Sequence, residues 1–139
     1  MASSIACHFT VTGSDFDPEA FTERIGLTPT DTWHKGDPVG ESLIRMKHSG
    51  WRCTVPRRSS LDLGESLRAL LAEVLPFADS IRDECDRLHL SAEIACVLFV
   101  GTPTPAAHFD SEILRGIARL GAEIDLDLYV DPAVATGED

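Results

Sequence analysis

Ala92-Glu93-Ile94-Ala95-Cys96-Val97-Leu98-Phe99-Val100 is the stretch on which the fold turns. Apart from Glu93 every residue is apolar, so an extended chain here is apolar on both faces. That pattern predicts a strand inside a sheet, with material on either side of it. One face carries Ile94, Cys96 and Leu98. The other carries Ala95, Val97 and Phe99 and needs a cover of its own, either a dimer partner or the irregular segment 27–40.

Toward the C-terminus, Gly101-Thr102-Pro103-Thr104-Pro105 reads as a loop. Asp110 or a neighbour then caps a helix that carries Ile113, Leu114, Ile117 and Leu120 and closes at Gly121. Residues 122–130 alternate. Ile124, Leu126, Leu128 and Val130 are expected to face the core, with Glu123, Asp125, Asp127 and Tyr129 facing away. Strand, helix and strand in succession predict a parallel pair joined by a right-handed crossover. The remainder, 131–139, reads as a flexible tail.

Toward the N-terminus, Phe77, Ile81, Cys85 and Leu88 recur at helical spacing. Before them Leu63, Leu67, Leu70, Leu71 and Val74 do the same, and Pro76 ends or kinks the run. Ser59 with Asp62 resembles a capping box. Two short strands are expected before that, at 42–48 and 51–55. Ser49-Gly50 would turn between them and Pro56 would stop the second. Residues 27–40 form a long connection with two prolines, two glycines and Trp33. A helix over 18–25 starts at Asp17-Pro18-Glu19 and ends at Gly26. Ile5, Cys7, Phe9 and Val11 alternate with Ala6, His8 and Thr10 in a first strand.

The order predicts an α+β domain over 1–130. A ferredoxin-like β-α-β-β-α-β unit is extended by a further helix and strand, giving a mixed sheet of about five strands with helices packed on it. The 139 residues, 43% of them hydrophobic, suffice for a core without metal or disulfide staples. No apolar run approaches the ~20 residues that span a bilayer. Met1-Ala2-Ser3-Ser4 lacks the basic and apolar regions of a secretory signal, so a cytoplasmic protein is expected.

The formal charge of −11 disfavours nucleic acid, because the chain repels a phosphate backbone. Arg57-Arg58 is far short of a basic stripe. Acidity suits a basic protein or a cationic ligand. Cys7, Cys53, Cys85 and Cys96 form no C-x-x-C and read as reduced core residues. His8, His34, His48, His89 and His108 are scattered, with no H-x-x-x-H zinc spacing. Neither a G-x-S-x-G elbow nor a G-x-G-x-x-G fingerprint occurs.

The chain resembles the bacterial family catalogued as domain of unknown function 4279. Phe9, the Asp17-Pro18 helix start and the Ile25-Gly26-Leu27-Thr28-Pro29-Thr30 turn carry the resemblance. So do Trp33, the Lys35-Gly36-Asp37 step, Trp51 and the closing Ile124-Asp125-Leu126-Asp127-Leu128-Tyr129 strand. It spans about residues 5–130 and lies in the order and spacing of these elements. It implies a similar α+β domain. The family has no established activity, so no catalytic residue is carried over.

Two groups of residues stand out as candidates. Asp125, Asp127 and Tyr129 form a ladder on one face of the last strand, with the two carboxylates about 7 Å apart at ~3.3 Å per residue. Such a pair can hold a hard cation, an arginine or an amine, or can simply guard an edge strand in solvent. Arg45, Lys47 or Arg52 would neutralise it if their strands lay near. The second group is Trp33, Lys35 and Asp37, with Trp51: a stacking surface, a cation and a carboxylate around a permissive Gly36. The expected function is a non-enzymatic protein- or ligand-binding module, in one form an immunity-like domain masking a basic partner. The alternatives are a metal-assisted hydrolase built on Asp125 and Asp127, and a homodimeric sensor of small polar ligands. No cofactor, structural metal or membrane partner is expected.

Overall fold

The computed structural model describes residues 2–132, so most of the expected tail lies outside the described residues. Five strands form one sheet: β1 (Ser4–Gly13), β2 (Asp31–Trp33), β3 (Ser49–Ser59), β4 (Ser91–Val100) and β5 (Glu123–Val130). Their order is β2-β3-β1-β4-β5. β1 pairs antiparallel with both β3 and β4, β2 antiparallel with β3, and β4 parallel with β5. The sheet is therefore mixed, and the apolar 92–100 stretch sits inside it as expected.

Four helices accompany the sheet: α1 (Pro18–Ile25), α2 (Leu63–Val74), α3 (Ala78–Leu88) and α4 (Ser111–Arg119). Their ends follow local chemistry. Asp17 accepts from the Glu19 and Ala20 amides, Pro18 occupies the first turn, and Gly26 closes α1 at φ 83°. Asp110 accepts from the Ile113 amide at 2.8 Å and starts α4. The α2 cap is Asp62, whose carboxylate accepts from Gly64 at 2.8 Å. Ser59 belongs to β3 and caps nothing. Pro76 lies in a 3-10 turn, Leu75–Phe77, that joins α2 to α3. A ring without an N–H fits such a turn better than a helix interior.

The core lies between the helices and one face of the sheet. Cross-strand register puts Val11 beside Trp51 and Ala92, Phe9 beside Cys53 and Ile94, and Cys7 beside Val55 and Cys96. All of these are buried, together with Phe21, Ile25, Leu63, Leu67, Leu70, Val74, Ile81 and Ile113. Each large side chain removed from water in this way contributes about 1.5–3 kcal/mol. Trp51 is fully buried, edge-on to Phe9 at 6.2 Å and to Phe21 at 5.0 Å. Its indole N–H donates to Thr22 Oγ1 at 3.0 Å, so the polar tip is satisfied inside the core.

Three expectations fail here. The second strand is Asp31–Trp33 and not 42–48; Leu43 and Ile44 are exposed in a loop, and Ser49-Gly50 opens β3. Pro56 does not stop β3, because the register against β1 shifts between Ile5 and Cys7. A bulge there absorbs a proline that cannot donate to the ladder. Finally, Ile124, Leu126, Leu128 and Val130 share the helix-side face of β5 but are 42–60% exposed. α4 turns its buried residues Ile113 and Ile117 toward the body of the molecule and leaves β5 uncovered.

Candidate functional site

The face of the sheet turned away from the helices is read from the same register. Its rows run Trp33–Gly50–Thr12, Asp31–Arg52–Thr10–Glu93–Glu123 and Thr54–His8–Ala95–Asp125. Ala6–Val97–Asp127 and Ser4–Phe99–Tyr129 follow. No described helix packs on it, and Ala95, Val97 and Phe99 remain half-buried. Among the described residues segment 27–40 is not the cover expected over these three, and the Arg57 guanidinium lies over Phe99. Segment 27–40 reaches only the β2–β3 border.

At that border the Trp33 ring lies flat over Gly50, in space a Cβ would occupy. Arg52 stacks on the same ring at 5.2 Å and bonds Asp31 at 3.1 Å. The loop beyond is tied down locally. Asp37 accepts from the His34 amide at 2.8 Å, His34 Nε2 meets Glu19 at 2.9 Å, and the Lys35 amide donates to Ser49 Oγ at 3.0 Å. The Lys35 side chain is exposed. Arg45 lies in this loop, in an isolated bridge with Pro38.

Centrally, His8 Nδ1 pairs with Thr54 Oγ1 at 2.9 Å. Burial, then the Arg52 charge, holds this imidazole below its ordinary pKa, against a smaller opposing effect of Asp31. Near the far corner Arg57 donates to Ser4 Oγ at 2.6 Å and lies 3.8 Å over the Phe99 ring. Phe99 stacks on Tyr129 at 5.1 Å. One cation and two rings therefore form a continuous stack.

The opposite border is acidic. Glu93 on β4 joins Glu123, Asp125 and Asp127 on β5, because parallel pairing sets Glu93 beside Glu123 and keeps alternate residues on one face. None of the ion pairs among the described residues includes any of the four. Repulsion acts on two of them. The Asp127 carboxyl is raised chiefly by Asp125, and Glu93 is raised by burial and then by Asp125, Glu123 and Asp127.

The two candidate groups do not meet. Trp33, Lys35 and Asp37 stand at the β2 end of the sheet, Asp125, Asp127 and Tyr129 at the β5 end, with β3, β1 and β4 between. Arg52 is paired with Asp31 and Arg45 lies in the loop before β3, and neither forms an ion pair with the ladder among the described residues. Trp51 is a core residue and offers no surface. Sequence reasoning missed Glu93, His8 and the Arg57–Phe99 stack. The alternation of 93, 95, 97 and 99 against 123, 125, 127 and 129 was the available signal.

Other chemistry finds less support. Burial pushes Cys53 and Cys85 up to about 11. Cys96, whose sulfur sits 3.9 Å from that of Cys7, is raised by that contact and then by burial. Thiols held protonated in a core are poor nucleophiles. Among the described residues, ligand atoms of Asp17, Glu19 and His34 come within 4.8 Å of one another. The first caps α1 and the other two pair with each other, which accounts for the grouping. Two shallow grooves of about 200 Å³ lie elsewhere, one between α2 and α4 at Leu71, Leu75 and Ile113, the other at Phe16, Arg24 and Glu84. No helix among the described residues is long and apolar enough to cross a membrane.

No curated protein and no solved structure matches the chain. The sequence model of one family, described as "Domain of unknown function (DUF4279)", matches residues 3–131. That span takes in every strand and helix of the fold, and the chain belongs to this family.

Proposed function

We propose that the protein is a non-enzymatic binding module, in the cytoplasm, whose recognition surface is the acidic border of the open sheet face and whose partner is basic. One observation carries the reading: four carboxylates share a border and enter no ion pair among the described residues, on a strand whose Ile124, Leu126 and Leu128 are exposed. Uncompensated like charges on adjacent strands cost stability, and a cationic partner removes that cost. An immunity-like domain that masks a basic surface has this character. The strand order β2-β3-β1-β4, with α1 and α2 as the crossing helices, supports a ferredoxin-like unit extended by α4 and β5.

The hydrolase reading lacks a specific support, because Asp125 and Asp127 gather no third ligand group among the described residues. The binding reading is tested by titrating the isotope-labelled protein with oligo-arginine and, separately, oligo-glutamate. Oligo-arginine is expected to shift the amide resonances of β4 and β5 selectively, and less so in Asp125→Asn. Shifts spread over all exposed acids, α3 included, would reduce the effect to general charge attraction and defeat the reading.

A further inference from the structure

β5 is a border strand, and its backbone faces can be assigned. The Asp131 amide donates to the Val100 carbonyl at 3.0 Å across the parallel pair. Along a strand, successive residues direct their N–H and C=O to opposite sides. Residues 123, 125, 127 and 129 therefore hydrogen-bond inward to β4. Ile124, Leu126 and Leu128 direct theirs outward, where no described strand pairs with them. The side chains alternate independently between the two sheet faces: Asp125 and Asp127 on the open face, Ile124, Leu126 and Leu128 on the other, all three well exposed.

An eight-residue edge of this kind is a template for one more strand. The side chains specify which. An added strand lays residues alternately against the acidic row and the apolar row. A second copy is a poor occupant. In antiparallel self-pairing about Leu126, Asp125 of each chain would face Asp127 of the other, and like charges directly opposite are destabilising. A neutral apolar strand would fill the Ile124–Leu128 side and leave the carboxylates to be desolvated without a counter-charge. Only alternating cations and apolar residues satisfy both rows.

We propose that the outer edge of β5 binds an extended segment of a partner protein in which Lys or Arg alternates with apolar residues, by addition of a strand to the sheet. The cations lie against Asp125 and Asp127, the apolar residues against Ile124, Leu126 and Leu128, and the backbone pairs with the latter three. The proposal rests on the basic-partner reading above and adds the mode of binding to it.

The test uses the full chain at low protein concentration and a synthetic peptide about as long as β5 in which arginine alternates with valine. Controls are a peptide of the same composition with the arginines and valines in two blocks, one with glutamate in place of arginine, and an alternating peptide N-methylated along one backbone edge. The alternating arginine peptide is expected to bind at least about tenfold more tightly than the block peptide, and more weakly to Asp125→Asn. The N-methylated peptide and the glutamate peptide are expected to fail. Hydrogen exchange at the Ile124, Leu126 and Leu128 amides should be fast in the free protein and slow in the complex.

Equal binding of alternating and block peptides, without new protection at those amides, would overturn strand addition while leaving the basic-partner reading in place. No binding of any arginine peptide would overturn both. Protection of the three amides in the free protein would show an edge already occupied and would also overturn the proposal.

Discussion

At the scale of single residues, the acidic border predicts its own response to pH. Asp127 has a raised pKa because Asp125 stands beside it. A carboxyl whose folded pKa lies above its unfolded value favours folding below the unfolded value, and that favour is lost as pH rises through the folded value. The repulsion is thus in full force at neutral pH and absent below the ordinary value of 3.8. Asp127→Asn is expected to raise the midpoint of thermal unfolding at pH 7, less so in high salt, and not at all near pH 3. A gain that persists unchanged at pH 3 would assign the effect to packing. Inside the core, Thr22 accepts from the Trp51 indole, and Thr22→Val leaves that buried N–H without a partner. The expected loss is about 1–3 kcal/mol in denaturant unfolding, with most of it recovered in Thr22→Ser. At Gly50 a methyl group would occupy the space of the Trp33 ring. Gly50→Ala should displace the ring, redden its fluorescence and cost about 1–3 kcal/mol.

At the scale of elements, what the sequence reveals divides by how local the cause is. The α1 and α4 caps, the buried stripe of α2 and the position of β4 follow from residues a few places apart, and all are legible. The second strand is not. Leu43, Ile44 and Met46 look like a strand by hydropathy, whereas Asp31-Thr32-Trp33 has the polar content of a loop. Pairing decided the matter: Asp31–Trp33 finds β3 and joins the sheet, whereas residues 44–46 pair only with 36–39 of the same loop, through the Pro38–Arg45 bridge. The facing of β5 fails for a related reason. Alternation reveals that two faces differ but not which of them has a neighbour, and α4 spends its apolar face on α2. Hence the acidic ladder was legible as a candidate site, but Glu93 beside it needed the β4–β5 register. The α2 cap gives a direct check on element-level causes. Asp62→Ala should destabilise by about 1 kcal/mol, because the Gly64 amide loses its acceptor. Ser59→Ala should stay within ~0.5 kcal/mol of the parent. The reverse ranking would restore Ser59 as the cap.

At the scale of the whole molecule, the sheet is two-sided, the described helices lie on one side of it, and its two borders differ in kind. At the β2 border Arg52 is stacked on Trp33 and paired with Asp31, so these two charges are spent internally. The β5 border holds apolar side chains and backbone groups that invite pairing, and carboxylates that forbid it to any acidic strand. With a chain charge of −11, another copy of the chain is the least acceptable strand for this edge. The carboxylates therefore have two effects that experiment can separate: they select a basic partner and they keep the protein from joining itself. The second effect predicts that Asp125→Asn combined with Asp127→Asn permits β5 of two copies to pair, since the apolar row and the outward backbone remain. Sedimentation across a concentration series should show the parent as a monomer at low salt and the double variant in monomer–dimer exchange. High salt should move the parent part of the way, because screening weakens repulsion between exposed charges. Adding Leu126→Lys to the double variant should return it to monomer by placing a cation at the centre of the apolar row. A double variant that stays monomeric at every concentration would mean that repulsion is not what holds two copies apart.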